Sequence, residues 1–174
     1  QGIRVLAQTD AHAAAFDFAV THAVQGRLLA ISMGTGIGAA VLDGPDHRPL
    51  IVSGRGPGHL GQLDVAIQEL EPNVPIGPDG GRGSLEAYMG LPALRARFGP
   101  RLGRVLEQAD MPPDQPPLAA LVKALRIAHA VYRPSTIALL GGVGIRLGPV
   151  IADLRAATCR QLTGLAQTGW ELRA

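Results

Sequence analysis

The segment LLAISMGTGIGAAVLDG, residues 28–44, limits the architectures open to this chain more than any other stretch. Leu28–Met33 reads as a buried strand, because an apolar run with one hydroxyl and no charge suits a strand covered on both faces. Gly34, Gly36 and Gly38 then force a turn, and Ala39–Leu42 returns as a second strand closed by Asp43-Gly44. The unit is a hairpin. A dinucleotide-binding fingerprint needs a helix after its glycines, and Ala39–Leu42 is too short for one, which excludes the Rossmann arrangement. No Lys-Ser or Lys-Thr follows, which excludes a P-loop. What the turn offers is backbone N–H groups open to an anion, with the Thr35 hydroxyl as a further donor, so phosphate is the natural guest. A glycine-rich hairpin with no ligand fits the same residues.

The remaining elements alternate in type. Gly2–Ala7 reads as a short strand, and Thr9-Asp10 supplies capping oxygens for an alanine-rich helix over Ala11–Val24. Leu50–Ser53 is expected to form a further strand, and the glycine-punctuated stretch after it is too broken for a helix. Residues 71–83, EPNVPIGPDGGRG, are turn chemistry almost throughout, and Ser84 caps a helix beginning at Leu85. Helices are predicted over Pro92–Phe98, Leu102–Gln108 and Leu118–Tyr132, the last with an apolar stripe suited to lying on a sheet. Thr136–Leu140 reads as a buried strand, Gly141-Gly142 as a turn at its end, Gly148–Leu165 as mostly helix, and TGWELR as a closing strand.

With 174 residues, 47% apolar and 17% charged, the chain can bury a sizeable core as one domain and is too apolar for disorder. A net charge of +2, no run of five basic residues and only 3% aromatics leave no nucleic-acid surface. Cys159 is the single cysteine, so no internal disulfide forms, which fits a reducing, cytoplasmic setting. Ser32, Thr35 and three glycines break the longest apolar stretch, so no membrane span is expected.

Three further segments carry chemistry. Asp10, at a strand-to-helix junction, could accept a proton from a substrate hydroxyl during phosphoryl transfer, or simply cap the helix. His59, Gln62 and Glu86 emerge from glycine-rich or helix-start positions where they could read the hydroxyls of a polar ligand; a plain loop histidine and a dipole-favoured glutamate explain them equally. Leu139–Gly144, LLGGVG, ends a strand in paired glycines where a flat base or a helix could approach.

Taken in order, these segments resemble the ROK family (repressors, uncharacterised frames and sugar kinases) of the actin-like ATPase-domain superfamily. TDAHAAAFDFA is similar to the family's N-D-A-N-A-A-A-x-x-E segment, and LLAISMGTGIGAAVLDG to its second phosphate loop. GPGHLGQL resembles G-x-G-E-x-G-H, GSLEAYMG resembles G-C-L-E-x-Y-x-S-G, and IALLGGVG the adenosine-side glycine pair. The resemblance implies an α/β fold of the ribonuclease H-like, actin-like ATPase type, a mixed sheet with helices on its faces. It implies that Asp10 is the base activating a sugar hydroxyl, that Gly34, Thr35, Gly36 and Gly38 cradle ATP phosphates, and that Gly141 and Gly142 border the adenosine. Thr9, His59, Gln62 and Glu86 take the sugar-contacting positions, and ATP with Mg²⁺ would donate a phosphoryl group to a hexose or N-acetylated amino sugar.

The departures are specific. His59 stands where the family has Glu, Gln62 where it has His, and Thr9 where Asn precedes the aspartate. The family's zinc cluster is replaced by Gly77, Asp79 and Ser84 with Gln62, which lack the thiolate and imidazole donors zinc needs, so no structural zinc is expected. The loop over residues 71–83 must then rely on turn hydrogen bonds or be mobile. The chain starts at Gln1 without Met, and no D-x-G-G-T first phosphate loop is found. The expectation is therefore one carboxyl-terminal lobe, 1–174, with the amino-terminal lobe absent, unable to catalyse alone. The alternative is a sugar-sensing regulatory domain that binds without phosphorylating. A homodimer is compatible with the apolar helical segments.

Overall fold

The computed structural model describes residues 9–52, 56–78, 80–108 and 111–174. The strand expected over Gly2–Ala7 lies outside them, as does Ser53. The predicted hairpin is the centre of the sheet. Strand β1 (Leu28–Met33) pairs antiparallel with β2 (Ile37–Asp43), from Leu28 opposite Leu42 to Met33 opposite Ile37. The outer strand β3 is only Arg48–Pro49, earlier and shorter than the strand expected over Leu50–Ser53. On the other side of β1 run two parallel neighbours, β4 (Thr136–Leu140) and β5 (Glu171–Arg173), giving the order β3-β2-β1-β4-β5.

Strand alternation sorts the core into two layers, because successive side chains point to opposite faces. Leu28, Ala30, Ala40, Leu42 and Ala138 pack with Ala11, Ala15, Phe18 and Ala19 of helix α1 (Asp10–Thr21). Leu29, Ile31, Met33, Val41, Ile137 and Leu139 face the larger layer. That layer is built from α2 (Leu85–Met89), α3 (Leu91–Phe98), α4 (Leu102–Glu107) and α5 (Pro116–Tyr132), then α6 (Gly141–Gly144) and α7 (Ile151–Gln161). Helix α5 is the principal cover, burying Leu118, Leu121, Val122, Leu125 and Ala128. Its apolar stripe joins the buried cluster shared with β1 and β4 and packs between α2 and α7. Strands β1 and β4 pair in parallel, and the chain that returns from β3 to β4 passes through the α2–α5 layer, the arrangement expected of a mixed α/β sheet.

Two elements differ from expectation. Gly141-Gly142 opens a short helix instead of a turn, and Gly148–Leu165 breaks into α7 between two 3-10 turns, Ile145–Val150 and Gly164–Gln167. Arg27 fastens the sheet's start: its guanidinium donates to both carboxylate oxygens of Asp43, at 3.1 and 2.7 Å, and to the Tyr132 carbonyl at 2.6 Å. Among the described residues no helix is long and apolar enough to cross a membrane.

Candidate active site

The hairpin turn sits at the carboxyl end of β1 and is held from within and from outside. The Gly34 N–H donates to the Gly36 carbonyl at 3.0 Å, and the Leu91 N–H at the start of α3 donates to the Gly34 carbonyl at 2.8 Å. Gly90, at the α2–α3 corner, permits this approach: a Cβ there would stand 2.7 Å from the Glu86 carbonyl oxygen and 3.2 Å from that of Thr35. The sequence reading did not single out Gly90.

Thr9 and Asp10 divide the work at the head of α1. Thr9 is the N-cap, its hydroxyl accepting from the His12 N–H at 3.3 Å and lying 2.8 Å from His12 Nδ1. Asp10 is the first helical residue, its Oδ1 accepting from the Ala11 N–H at 2.8 Å. Capping is therefore done by Thr9, and the exposed Asp10 carboxylate makes no ion pair among the described residues.

Glu86 enters from the first turn of α2, whose cap Ser84 accepts from the Ala87 N–H at 3.2 Å. The Ile37 N–H points to Glu86 Oε2 at 3.5 Å, the outer limit of such a bond. A Cβ on Gly36 would be 3.2 Å from Glu86 Oε1, and one on Gly61 would be 2.9 Å from Oε2, so two glycines make room for this half-buried carboxylate.

Asp10, Gly34, Thr35, Gly36, Gly38 and Glu86 line one cleft of about 460 Å³, together with Ser32 and Ile37. Ser32 went unnoticed in the sequence, although alternation along β1 puts it on the same face as Leu28 and Ala30, toward α1. The other positions are more dispersed. Thr9 caps the helix beside Asp10 without lining the cleft, and His59, just before the 3-10 turn Leu60–Gln62, and Gln62, its last residue, are exposed and also outside the lining. Gly61 of that turn abuts Glu86.

Gly34 is shared with a second cleft, of about 260 Å³, in which Gly142 lies. Gly141 does not line it. With φ +79°, Gly141 packs on β1, where a Cβ would stand 2.6 Å from the Met33 carbonyl oxygen. At Gly34 and Gly142 no atom lies within 4 Å of the Cβ position, so both backbone faces are open to a ligand such as a nucleotide phosphate.

The loop at the replaced zinc position has internal support. Gly77 N–H donates to the Gly81 carbonyl at 2.9 Å, Gly80 N–H to that of Gly77 at 2.9 Å, and Gly83 N–H to that of Pro75 at 2.8 Å. Arg97 of α3 donates to both oxygens of Glu71, at 2.6 and 2.8 Å. Asp79 lies outside the described residues, among which no group of three or more His, Cys, Asp or Glu is placed to hold a metal.

This α/β lobe, with a glycine hairpin ending its central strand and a helix-borne carboxylate across from it, has the actin-like ATPase fold. More narrowly, the fold is that of the ROK family of sugar kinases and repressors. The ROK hexokinase of Thermus thermophilus is 25% identical with a TM-score of 0.68, the match covering 95% of this chain and 58% of that one. The ROK glucokinase of Streptomyces griseus, solved with glucose and AMPPNP, is 20% identical with a TM-score of 0.64, over 95% of this chain and 61% of that one. A ROK transcriptional regulator described as a homologue of the E. coli MLC protein is 19% identical with a TM-score of 0.66, over 95% and 46%. The chain spans about half the length of the structures it matches. No family model and no curated protein matches it.

Proposed function

We propose that this chain is the carboxyl-terminal lobe of a ROK-type sugar kinase, which transfers the γ-phosphoryl group of ATP to a hydroxyl of a hexose or N-acetylated amino sugar. The observation that carries this reading is the single cleft that holds Asp10 and the Gly34–Gly38 hairpin side by side. Asp10 accepts the proton of the attacking sugar hydroxyl, and its exposure leaves the carboxylate free for that task. Glu86 accepts hydrogen bonds from neighbouring sugar hydroxyls and so orients the ring. The backbone of Gly34, Gly36 and Gly38 and the Thr35 hydroxyl hold the phosphoryl group in line, where positioning and electrostatics do most of the work. Gly142 borders the nucleoside. Bound ATP with Mg²⁺ supplies the transferable group and the divalent charge that offsets its phosphates.

A second reading has one observation in its favour. His59 and Gln62, where the ROK family has glutamate and histidine, alter two of the sugar-contacting positions, which suits a sensor that binds sugar without phosphorylating it. A coupled phosphorylation assay on the full-length protein, with ATP, Mg²⁺ and a panel of hexoses and N-acetylated amino sugars, separates the two. Turnover on one sugar that drops by about three orders of magnitude or more in Asp10→Asn is the expected result. Sugar binding by calorimetry with no turnover in the unaltered protein would establish the sensor instead.

A further inference from the structure

Every charged group lining the second cleft is a cation. Arg95 and Arg146 line it beside Leu91, Leu106 and Val143, and neither Asp nor Glu does. Each arginine is mounted on one of the two glycine segments. Arg95 lies one turn beyond Leu91 on α3, and the Leu91 N–H is bonded to the Gly34 carbonyl. Arg146 lies in the 3-10 turn that continues directly from Gly141–Gly144. The hairpin and the glycine pair thus bring their own guanidinium groups to one place.

Several other arginines have a partner. Arg27 pairs with Asp43, Arg48 with Asp46, Arg97 with Glu71 and Arg173 with Glu171, while Arg155 lies over the Trp170 ring. Arg95 and Arg146 are exposed and have no acidic partner among the described residues. Two like charges around one cleft, with no counter-charge in its walls, create a positive potential whose complement is an anion. Guanidinium groups are suited to phosphate oxygens, which they bind through paired donors. A phosphoryl group at the Gly34–Gly38 backbone beside Asp10 leaves these arginines unused, since they line the cleft that Asp10 and Glu86 do not. They would meet phosphates further along a chain that passes Gly34.

We propose that Arg95 and Arg146 clamp the part of a polyphosphoryl donor that is not transferred: the inner phosphates of a nucleoside triphosphate, or the body of an inorganic polyphosphate. The inference rests on the phosphotransfer reading above but concerns donor binding alone. Isothermal titration calorimetry of the full-length protein with tripolyphosphate, ATP and adenosine tests it. Tripolyphosphate and ATP are expected to bind, with Arg95→Ala and Arg146→Ala each weakening both by about tenfold or more while adenosine is unaffected. Replacing both by Lys keeps part of the affinity through charge, and circular dichroism confirms that the variants are folded. ATP binding more tightly than tripolyphosphate supports a nucleotide as the source of the chain; the reverse order supports inorganic polyphosphate. Failure of the unaltered protein to bind tripolyphosphate, or equal binding by the double alanine variant, overturns the clamp. If binding depends on the arginines while no sugar is phosphorylated, the kinase reading falls and the clamp stands.

Discussion

Two adjacent glycines should respond to the same substitution with opposite signs. Gly141 has φ +79°, and a Cβ added there would meet backbone atoms of Met33, the carbonyl oxygen at 2.6 Å and the nitrogen at 3.0 Å. Neither atom can swing aside as a side chain would, because both belong to the central strand. Left-handed backbone costs a non-glycine residue about 1–2 kcal/mol, and forcing an extra methyl into a packed site about 1–3 kcal/mol. Gly141→Ala is therefore expected to lose about 3 kcal/mol and, for a chain of this size, to lower the melting temperature by about 10 °C. Gly142 lies in α6 with nothing within 4 Å of its Cβ position. There, Gly142→Ala removes unfolded-state freedom at no steric cost and should raise stability by about 0.5–1 kcal/mol. Urea denaturation followed by the fluorescence of Trp170, the single tryptophan, measures both. A Gly141→Ala protein within about 1 kcal/mol of the unaltered one, or two shifts of the same sign, would refute the packing argument.

Two further predictions concern pH. The hydrogen bonds and charge of Arg27 hold the Asp43 carboxyl below its ordinary value of 3.8, so the pair's contribution is complete above that pH and fades as pH falls toward the lowered value. Asp43→Asn should cost under about 1 kcal/mol at neutral pH, because the pair is half exposed, and the gap from the unaltered protein should narrow as pH falls below 3.8 in paired denaturation curves. Burial, then the neighbouring Arg133 charge, lowers the His129 imidazole below 6.5. The unfolded chain then binds that proton more readily, so stability is full above 6.5 and declines as pH falls through it. Between about pH 7.5 and about pH 5.5 the unaltered protein should lose more stability than His129→Leu, and parallel slopes would contradict this.

What could be read from the sequence depended on whether local rules and tertiary packing agreed. Leu28–Met33 and Thr136–Leu140 have the predicted bounds because each is an apolar run closed by glycine or a polar residue, and each is buried on both faces. Ser84 announced α2 through its cap. The outer strand was misplaced because Arg48–Pro49 is defined by pairing with Leu42 and Asp43, which no local pattern encodes. Gly141–Gly144 is helical against the propensity of glycine, since Gly141 must pass Met33 and Gly144 must pass Leu139, where a Cβ would meet the carbonyl carbon at 2.8 Å. In the site, motif order placed Asp10, Glu86 and the hairpin in one cleft, yet it could not place His59 and Gln62, because spacing along a loop carries no distances.

The sheet is also a partition. Among the described residues α1 is the only helix on its face, and its first turn carries Asp10, while Gly90, Arg95, Gly142 and Arg146 all ride on the opposite layer. Glu86 rides with them on α2, so the two carboxylates of the first cleft belong to opposite layers. They communicate through β1, whose alternate residues belong to different cores. A shift of one layer against the other would therefore change the spacing of Asp10 and Glu86 while leaving each core packed.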